Sequence, residues 1–334
     1  MNRNQSVYDG VNSHGSFARV NPVLRLPYGW KFTKAPAGVK VFFTMRHGGV
    51  SEPPYESLNL GFHVGDDHEH VIQNRRALSE ALGIAPAGIT SPRQRHTSRV
   101  MLLEHDEQVG AGAYGEESFF DPCDGLATAL PAAPILLQFA DCLPVALMAG
   151  GPRLAACVLH AGRRGIVDGV VRNGVAMMTD QFGVRPVAIT AALGPAIGPC
   201  CYEVGSGIAR EFEARFGPEA VAGANVDLAA AAIIDLKSAG IPPENIHLLD
   251  ACTCCNHELL FLSPRRRDRP PRRHRLDRKT RWRMIQIRDT DFGKLHDQLF
   301  RNAKTRNSWK LKTRNHTDEK TSISLATEAS LPGR

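Results

Sequence analysis

Short apolar runs alternate with longer helical patterns along the first 264 residues. Residues 66–83 start with aspartate, carry apolar residues at helical spacing and end in Gly83, which predicts a helix with both ends marked. Two more helices are predicted over 166–183 and 226–240. The runs predicted as strands span 38–45, 99–105, 133–140, 144–150, 153–160, 187–193 and 245–250. This alternation predicts an α/β fold of the mixed α+β kind, a single layered domain with mixed β-sheets flanked by helices.

The basic charge of the chain is confined to its C-terminal part. From Arg265 onwards there are 21 Lys and Arg against 8 Asp and Glu, and the preceding residues hold the other 20 against 26. This part has no sustained apolar period, which predicts a solvated, flexible tail over 264–334. An arm that binds RNA or an anionic surface is the alternative, but interleaved aromatic residues are missing, so we expect no nucleic-acid partner. With 1–37 as an N-terminal extension, residues 38–263 form the predicted catalytic domain.

Membrane and secretory segments are not expected. The longest apolar run, ILLQFADCLPVALMAGG, is interrupted by Asp141, and the N-terminus has no basic region followed by an apolar one. The sequence therefore predicts a cytoplasmic protein without a membrane partner and leaves its oligomeric state open.

Eight cysteines occur without the two C-x-x-C motifs of a zinc ribbon. In a cytoplasmic chain, this usage indicates thiols or metal ligands and not a disulfide framework. We expect Cys200, Cys201 and the CTCC segment at 252–255 to be packed thiols, with a second metal site as the alternative.

Three metal-ligating residues stand at predicted strand ends. His96 precedes a strand, Cys142 lies between two apolar runs, and His160 closes a strand before the glycine-rich turn of LHAGRRG. Because strand ends are where such folds build sites, the three could converge. Two imidazoles and one thiolate suit Zn²⁺ and would leave a fourth position for water or substrate. From spacing alone, a buried cysteine and two hydrogen-bonded histidines remain the alternative.

Seven segments carry a resemblance to a known family. In this order, they resemble the laccase-domain family, also called YfiH or polyphenol-oxidase-like, in which purine nucleoside phosphorylase and adenosine deaminase activities are described. The resemblance implies a YfiH-like fold and makes His96, Cys142 and His160 the metal ligands, with zinc as the metal and copper as the alternative. The segments are TMRHGGVSEPPYESLNLGFHVGD, NRRAL, QRH, DGLATALPAAPILLQFADCLPV, HAGRRGIVDGVV, LGPAIGPCCYEVG and CTCCNHELLFLS.

The resemblance also implies a phosphate-binding and proton-transferring group. Arg164 stands at the arginine of the family's H-A-G-W-R-G motif, and Arg46 also matches a family arginine. Both are predicted to bind phosphate, since guanidinium pairs well with it. Gly162 is predicted to let the backbone approach a ligand. His63 matches a family histidine and is predicted to line the pocket or carry a proton.

Two aspartates are predicted to act behind the ligands, and one position departs from the family. Asp124 and Asp141 are expected to orient metal ligands, as carboxylates commonly do for zinc-bound histidine. Arg163 replaces the family's tryptophan, which changes shape and charge and leaves the preferred nucleoside open.

The function implied is phosphorolysis of adenosine, inosine or methylthioadenosine to the base and a ribose 1-phosphate, with deamination of adenosine in the same pocket. A cysteine hydrolase is the first alternative, with Cys142 as nucleophile activated by His160 or His96, as in an amidase that edits peptidoglycan precursors. A copper-dependent polyphenol oxidase is the second, but the only H-x-H segment is HEH at 68–70, in a predicted helix.

The resemblance ends abruptly after FLS. The tyrosine of the family's S-Y-R-R-D segment is replaced by Pro264, and an Arg- and Pro-rich stretch follows. Proline cannot donate to a strand ladder, so we expect the family's closing strand to be missing or unrecognisable from the sequence. A shifted reading frame from about residue 264 is a hypothesis that explains this departure.

Overall fold

Two larger β-sheets form the framework. The computed structural model describes residues 23–26, 28–152, 154–257 and 285–288. The first sheet has five antiparallel strands. Their order in the sheet is β1 (Val23–Leu26), β2 (Gly29–Phe32), β3 (Val39–Thr44), β13 (Ile285–Arg288) and β6 (Ile135–Leu136).

The second sheet has six strands and is mixed. Its edge pairs, β12 with β9 and β4 with β5, are parallel, and the inner pairs are antiparallel. Their order is β12 (Ile246–Leu248), β9 (Thr190–Leu193), β7 (Leu143–Ala149), β8 (Ala155–Ala161), β5 (Gly125–Thr128) and β4 (Val100–Leu103). A small hairpin joins β10 (Val221–Ala222) to β11 (Asn225–Val226).

The helices begin and end largely where local signals place them. Helix α1 (His68–Leu82) is capped by the Asp67 side chain and ends at Gly83 in the left-handed conformation, as predicted. The single helix predicted over 166–183 is wrong: left-handed Gly169, at φ 93°, divides it into two. The others are α2 (Arg163–Asp168), α3 (Val170–Phe182), α4 (Ser206–Phe216) and α5 (Leu228–Ser238).

Alternation along the strands divides the interior into layers. In β3, Val41 and Phe43 pack toward the second sheet, and Phe42 packs with residues of α1. In β7, Ala146 contributes to the same inter-sheet core, and Val145 packs with α3 and α5. Because side chains alternate across a strand, each sheet buries both faces. The result is a mixed α+β fold with two packed sheets between helices, which confirms the predicted class.

The first sheet extends beyond the predicted domain at both ends. Residues 23–32, placed in an N-terminal extension by the sequence, supply β1 and β2. A strand does follow Pro264, because β13 lies between β3 and β6, 21 residues further along the chain. The strand predicted over 133–140 is reduced to β6. The tail predictions for 264–284 and 289–334 lie outside the described residues.

Candidate metal centre

Strand pairing brings the three predicted ligands together. Since β7 and β8 are antiparallel, the start of β7 lies beside the end of β8, and Pro144 is paired with His160. Cys142 immediately precedes β7. On the other side of β8, β5 begins beside Leu159, so the preceding Asp124 lies next to His160. The loop before β4 adds His96, because β4 pairs with β5.

The ligand atoms of His96, Cys142 and His160 form one compact group. All three lie within 4.8 Å of one another, and the two imidazole rings meet edge to face with centroids 4.7 Å apart. His160 is buried, Cys142 half-buried and His96 exposed. Ligand atoms around one tetrahedral Zn²⁺ lie about 3.5 Å apart. The group therefore fits a single metal ion that is open to solvent on the His96 side.

Asp124 connects the ligands behind the group. Its fully buried carboxylate accepts hydrogen bonds from the backbone N–H of His96 (2.9 Å) and of Thr97 (2.7 Å), and from the Thr97 hydroxyl (2.9 Å). His160 Nδ1 donates to the same carboxylate at 2.8 Å. This bond fixes the tautomer and leaves Nε2 of His160 for a metal. Thr97 is a supporting residue that the sequence analysis missed.

Charges within the group favour a thiolate. Although burial raises it, the charge and hydrogen bond of His160, followed by those of His96, lower the pKa of Cys142 from 9.0 to about 6. Burial alone would lower the pKa of His160, but Cys142 and Asp124 raise it to about 9. Burial likewise opposes ionisation of Asp124, yet hydrogen bonds from His160 and Thr97 hold its pKa well below the usual range. These pKa values favour a Cys142 thiolate beside a His160 imidazolium at neutral pH.

Gly162 lies directly against two of the ligands. A Cβ atom at this position would lie 2.8 Å from Sγ of Cys142 and 3.3 Å from Cδ2 of His96. The backbone at Gly162 has φ −73°, which any residue adopts. Close approach, and not a special backbone conformation, is therefore what requires glycine here.

Two of these loops hold left-handed residues other than glycine. His96 has φ 60° and Asp141 has φ 80°, conformations that cost about 1–2 kcal/mol for such residues. Asp141 is held by the hydroxyl of Thr253, which donates to Oδ1 at 2.8 Å, and its carbonyl accepts the N–H of Ile197 at 2.8 Å. These contacts position the backbone immediately before Cys142.

His63 is exposed, in the short 3₁₀ turn Phe62–Val64. A glutamine pair links its loop to the His96 loop: Gln138 Nε2 donates to Leu60 O at 3.2 Å, and Gln94 Nε2 donates to Gln138 O at 2.8 Å. The sequence analysis missed Gln94 and Gln138, although Gln94 is part of the quoted QRH segment.

The two predicted phosphate ligands differ in their surroundings. Arg164 is exposed in the first turn of α2 and has no hydrogen bond or ion pair within the described part of the chain. Arg46 is half-buried, forms an ion pair with Glu56 at 3.2 Å and donates to the carbonyl oxygen of His257 at 3.1 Å. Arg163, at the family's tryptophan position, is half-buried at the start of the same helix.

Several known proteins are similar to this chain. Purine nucleoside phosphorylase YlmD of Geobacillus stearothermophilus is 33% identical over 267 residues, covering 77% of this chain and 93% of the relative. Adenosine deaminase RL5 from an unknown prokaryotic organism is 34% identical over 243 residues, 70% of this chain and 91% of the relative. The crystal structure of Bacillus licheniformis protein YfiH matches with a TM-score of 0.70 at 30% identity, covering 81% of this chain and all of that one.

A family description also matches most of the chain. Residues 40–273 match the family described as multi-copper polyphenol oxidoreductase laccase. This segment includes the His96, Cys142 and His160 group and extends nine residues beyond Pro264. The structure of YfiH is similar to that of this chain. The chain belongs to the multi-copper polyphenol oxidoreductase laccase family.

Proposed function

We propose that this chain is a zinc-dependent purine nucleoside phosphorylase that also deaminates adenosine. The observation that carries the proposal is the compact His96, Cys142 and His160 group, in a chain whose relatives are named for these two activities. The proposed substrates are adenosine, inosine and methylthioadenosine, with phosphate as the second substrate.

The three ligands would hold the metal, and Asp124 would keep their geometry. A bound Zn²⁺ supplies a Lewis acid that stabilises developing negative charge and activates water near neutral pH. Asp124 contributes by fixing His160 through Nδ1 and the His96 loop through backbone N–H groups. The Phe139 ring packs against the buried His160 ring, with 5.5 Å between centroids, and would support its position.

Two arginines are proposed to hold phosphate. Arg164 has its guanidinium uncommitted and can offer two parallel N–H donors. Arg46 would have to share its guanidinium between phosphate and Glu56, because the two side chains already form an ion pair. Arg164 is therefore the stronger candidate, and Arg46 would add charge at the edge of the site.

In phosphorolysis, a phosphate oxygen forms a bond to C1′ of the ribose while the C1′–N9 bond breaks. The electron pair of that bond goes to the purine, which takes up a proton, and ribose 1-phosphate remains. Positioning of phosphate and proton delivery are the tasks left to the protein. We propose that His63 carries this proton, since its loop is tied to the His96 loop through Gln138 and Gln94.

In deamination, water adds at C6 of the purine and the amino group leaves as ammonia after it accepts a proton. This reaction needs no phosphate, so phosphate dependence separates the two activities. His63 is the proposed proton carrier here as well.

A specific observation keeps the cysteine hydrolase as a second candidate. The pKa values of about 6 for Cys142 and about 9 for His160 describe a thiolate beside an imidazolium, the state of an activated cysteine nucleophile. Metal binding and nucleophilic attack compete for the same sulfur. Amide hydrolysis by the metal-free protein, lost on addition of Zn²⁺, would favour the hydrolase.

The polyphenol oxidase alternative has less support than the phosphorylase and the cysteine hydrolase. Within the described residues, the histidines of the HEH segment join no group of three metal-ligating side chains. His68 instead stacks against Phe62, with ring centroids 4.9 Å apart. Copper could still occupy the His96, Cys142 and His160 group, so metal analysis has to include it.

The test combines metal analysis with nucleoside turnover. Purified protein is analysed for zinc and copper and incubated with adenosine, with and without phosphate, beside Cys142→Ala. Cys157→Ala, which removes a buried thiol from β8 outside the group, is the control. We expect adenine only with phosphate, inosine without it, and both products lost in Cys142→Ala together with one metal ion. Products that persist in Cys142→Ala would overturn the proposal.

A further inference from the structure

Four cysteines that were expected to pack as thiols form a second compact group. The sulfurs of Cys200, Cys201, Cys252 and Cys255 all lie within 4.8 Å of one another. The Cys255 sulfur lies 3.6 Å from that of Cys200 and 3.5 Å from that of Cys201. Cys200 and Cys255 are exposed, so burial of apolar thiols does not account for the cluster.

The distances match one tetrahedral metal ion. With Zn–S bonds of about 2.3 Å, the sulfurs of a tetrahedral ZnS₄ site lie about 3.8 Å apart. A disulfide is excluded by the same distances, since its sulfurs would be about 2.05 Å apart. All eight cysteines lie in the described part of the chain, and none forms a disulfide. Iron–sulfur clusters place sulfide between metal and metal, which spreads the four cysteines further apart than a single ion does.

The backbone around the cluster is arranged as two ligand-bearing turns. Cys200 and Cys201 lie in a turn closed by the Cys201 N–H to Gly198 O bond of 3.0 Å. Cys252 and Cys255 have C-x-x-C spacing and flank a second turn, closed by Asn256 N–H to Cys252 O at 3.1 Å. The Gly198 N–H also donates to Sγ of Cys252 at 3.3 Å. N–H donors to sulfur stabilise a thiolate, the form that binds metal.

We propose that Cys200, Cys201, Cys252 and Cys255 bind a structural Zn²⁺ ion, separate from the His96, Cys142 and His160 group. Four protein ligands close the coordination sphere, which is the arrangement of a structural and not a catalytic zinc. Zn²⁺ also offsets half of the charge of four thiolates, which otherwise repel one another.

The ion would fasten the loops that position Cys142. One ligand turn follows Ala196 and Ile197, and the other contains Thr253 next to Cys252. Ile197 N–H and the Thr253 hydroxyl both bind Asp141, which precedes Cys142 and has a left-handed backbone. Joining the two turns through zinc therefore holds Asp141 from both sides. The second site supports the first through Asp141 without touching substrate.

The test measures metal in the full-length protein and does not depend on catalytic activity. Zinc content is compared among wild type, Cys142→Ala, and the double variant Cys252→Ser and Cys255→Ser. Cys254→Ala is the matched control, since this buried thiol belongs to the same CTCC segment but not to the cluster. We expect the double variant to lose about half of the zinc, the control to lose none, and Cys142→Ala to retain the clustered ion. Circular dichroism checks folding of each variant.

Two further measurements use no cluster variant. Cobalt-substituted Cys142→Ala is expected to show the strong thiolate-to-cobalt charge-transfer band of a four-thiolate site. In native wild type, the exposed Cys200 and Cys255 are expected to resist alkylation until a strong chelator removes the zinc. Immediate alkylation of both, a disulfide between any two of the four, or a single iron ion in the cluster would overturn the proposal. Loss of phosphorolysis with the clustered zinc intact would count against the proposed function alone.

Discussion

At the scale of single residues, Asp124 and Gly162 decide whether the metal group can form. Asp124 gathers His160, His96 and Thr97 around one buried carboxylate. Gly162 leaves the space that the Cys142 sulfur occupies. Neither residue is itself a ligand. The side-chain chemistry of the proposed ligands suits a metal, but their positions depend on neighbours that are not proposed to bind it.

Cys142 should be reactive in the metal-free protein. Because its pKa is lowered from 9.0 to about 6, it stays a thiolate at pH 7 and becomes protonated as the pH falls through about 6. The rate of iodoacetamide labelling at Cys142, followed by mass spectrometry, should fall to half near that pH. Prior addition of Zn²⁺ should protect the residue. A midpoint near pH 9 would show an ordinary thiol and contradict the ion pair with His160.

Gly162→Ala should weaken metal binding without unfolding the protein. The added Cβ would lie 2.8 Å from the Cys142 sulfur, so a ligand must move. We expect about tenfold or greater loss of metal affinity, measured by competition with a chromophoric chelator. Gly207→Ala is the control, because a Cβ there meets no atom within 4 Å. Equal affinities in the two variants would remove the steric argument.

Arg164→Ala should raise the KM for phosphate. Loss of a charge-assisted pair costs about 1.5–3 kcal/mol, which corresponds to roughly a 10- to 100-fold change. Phosphate-independent deamination should change little. Arg185→Ala, an exposed arginine beyond the far end of α3, provides the comparison. An unchanged KM in Arg164→Ala would move the phosphate site elsewhere, with Arg46 as the remaining candidate.

At the scale of elements, helix α1 fastens the loop that carries His63. Arg75 in this helix is buried and donates to the carbonyl oxygens of Leu60 at 2.9 Å and Gly112 at 2.6 Å. Its guanidinium also lies 4.5 Å from the centre of the Phe62 ring. Burial lowers the pKa of Arg75 to about 9, so the side chain remains charged at neutral pH. The helix thus fixes the residues on either side of Gly61.

Arg75→Leu should destabilise the protein strongly. It removes the Arg75 donor from the carbonyl of Gly112 and leaves that of Leu60 with only the Gln138 amide, at a cost of about 3 kcal/mol or more. Arg76→Leu is the matched control, since Arg76 is the exposed neighbour in the same NRRAL segment. Its replacement should change the free energy of unfolding by no more than about 0.5 kcal/mol. Urea unfolding at equilibrium measures both. Similar midpoints for the two variants would show that the Arg75 contacts contribute little.

At the scale of the whole molecule, β13 is the strand that completes the first sheet. It pairs with four residues of β3 on one side and two residues of β6 on the other. Without it, the described first sheet would divide into β1–β3 and an isolated β6. The sheet therefore depends on a segment that lies beyond the last recognisable family motif of the sequence.

Truncation after residue 263 should destabilise the fold, and truncation after residue 288 provides the control that keeps β13. Loss of the ladder hydrogen bonds costs about 5 kcal/mol, which lowers Tm by roughly 10 °C or more in a domain of this size. Thermal unfolding followed by circular dichroism compares the two proteins. Equal Tm values would mean that β13 contributes nothing to stability, and would leave the frameshift hypothesis as the better account of the C-terminal part.

Local sequence predicted seven of the thirteen described strands, helices α1 and α5, and three residues whose side chains suit a metal. Periodicity and caps are local properties, so the predictions for β3, α1 and β8 needed no partner strand. The side chains of His96, Cys142 and His160 are of types that bind metals, so the sequence already marks them as candidate ligands. Gly169 lies inside the predicted 166–183 helix, and its left-handed conformation, which divides that helix, was not predicted.

Tertiary structure alone decided which distant residues meet. His96 and Cys142 lie 46 positions apart with no periodic relation, and they converge because of the antiparallel β7 and β8 pair and of Asp124. The cysteine cluster joins turns about 50 residues apart, and β13 inserts between two strands from the first half of the chain. Such contacts depend on long-range pairing. The loop-closure entropy that this pairing costs is offset only by the contacts of the assembled fold. For that reason, the sequence left the second metal site as an alternative, and only the assembled fold brings its four proposed ligands together.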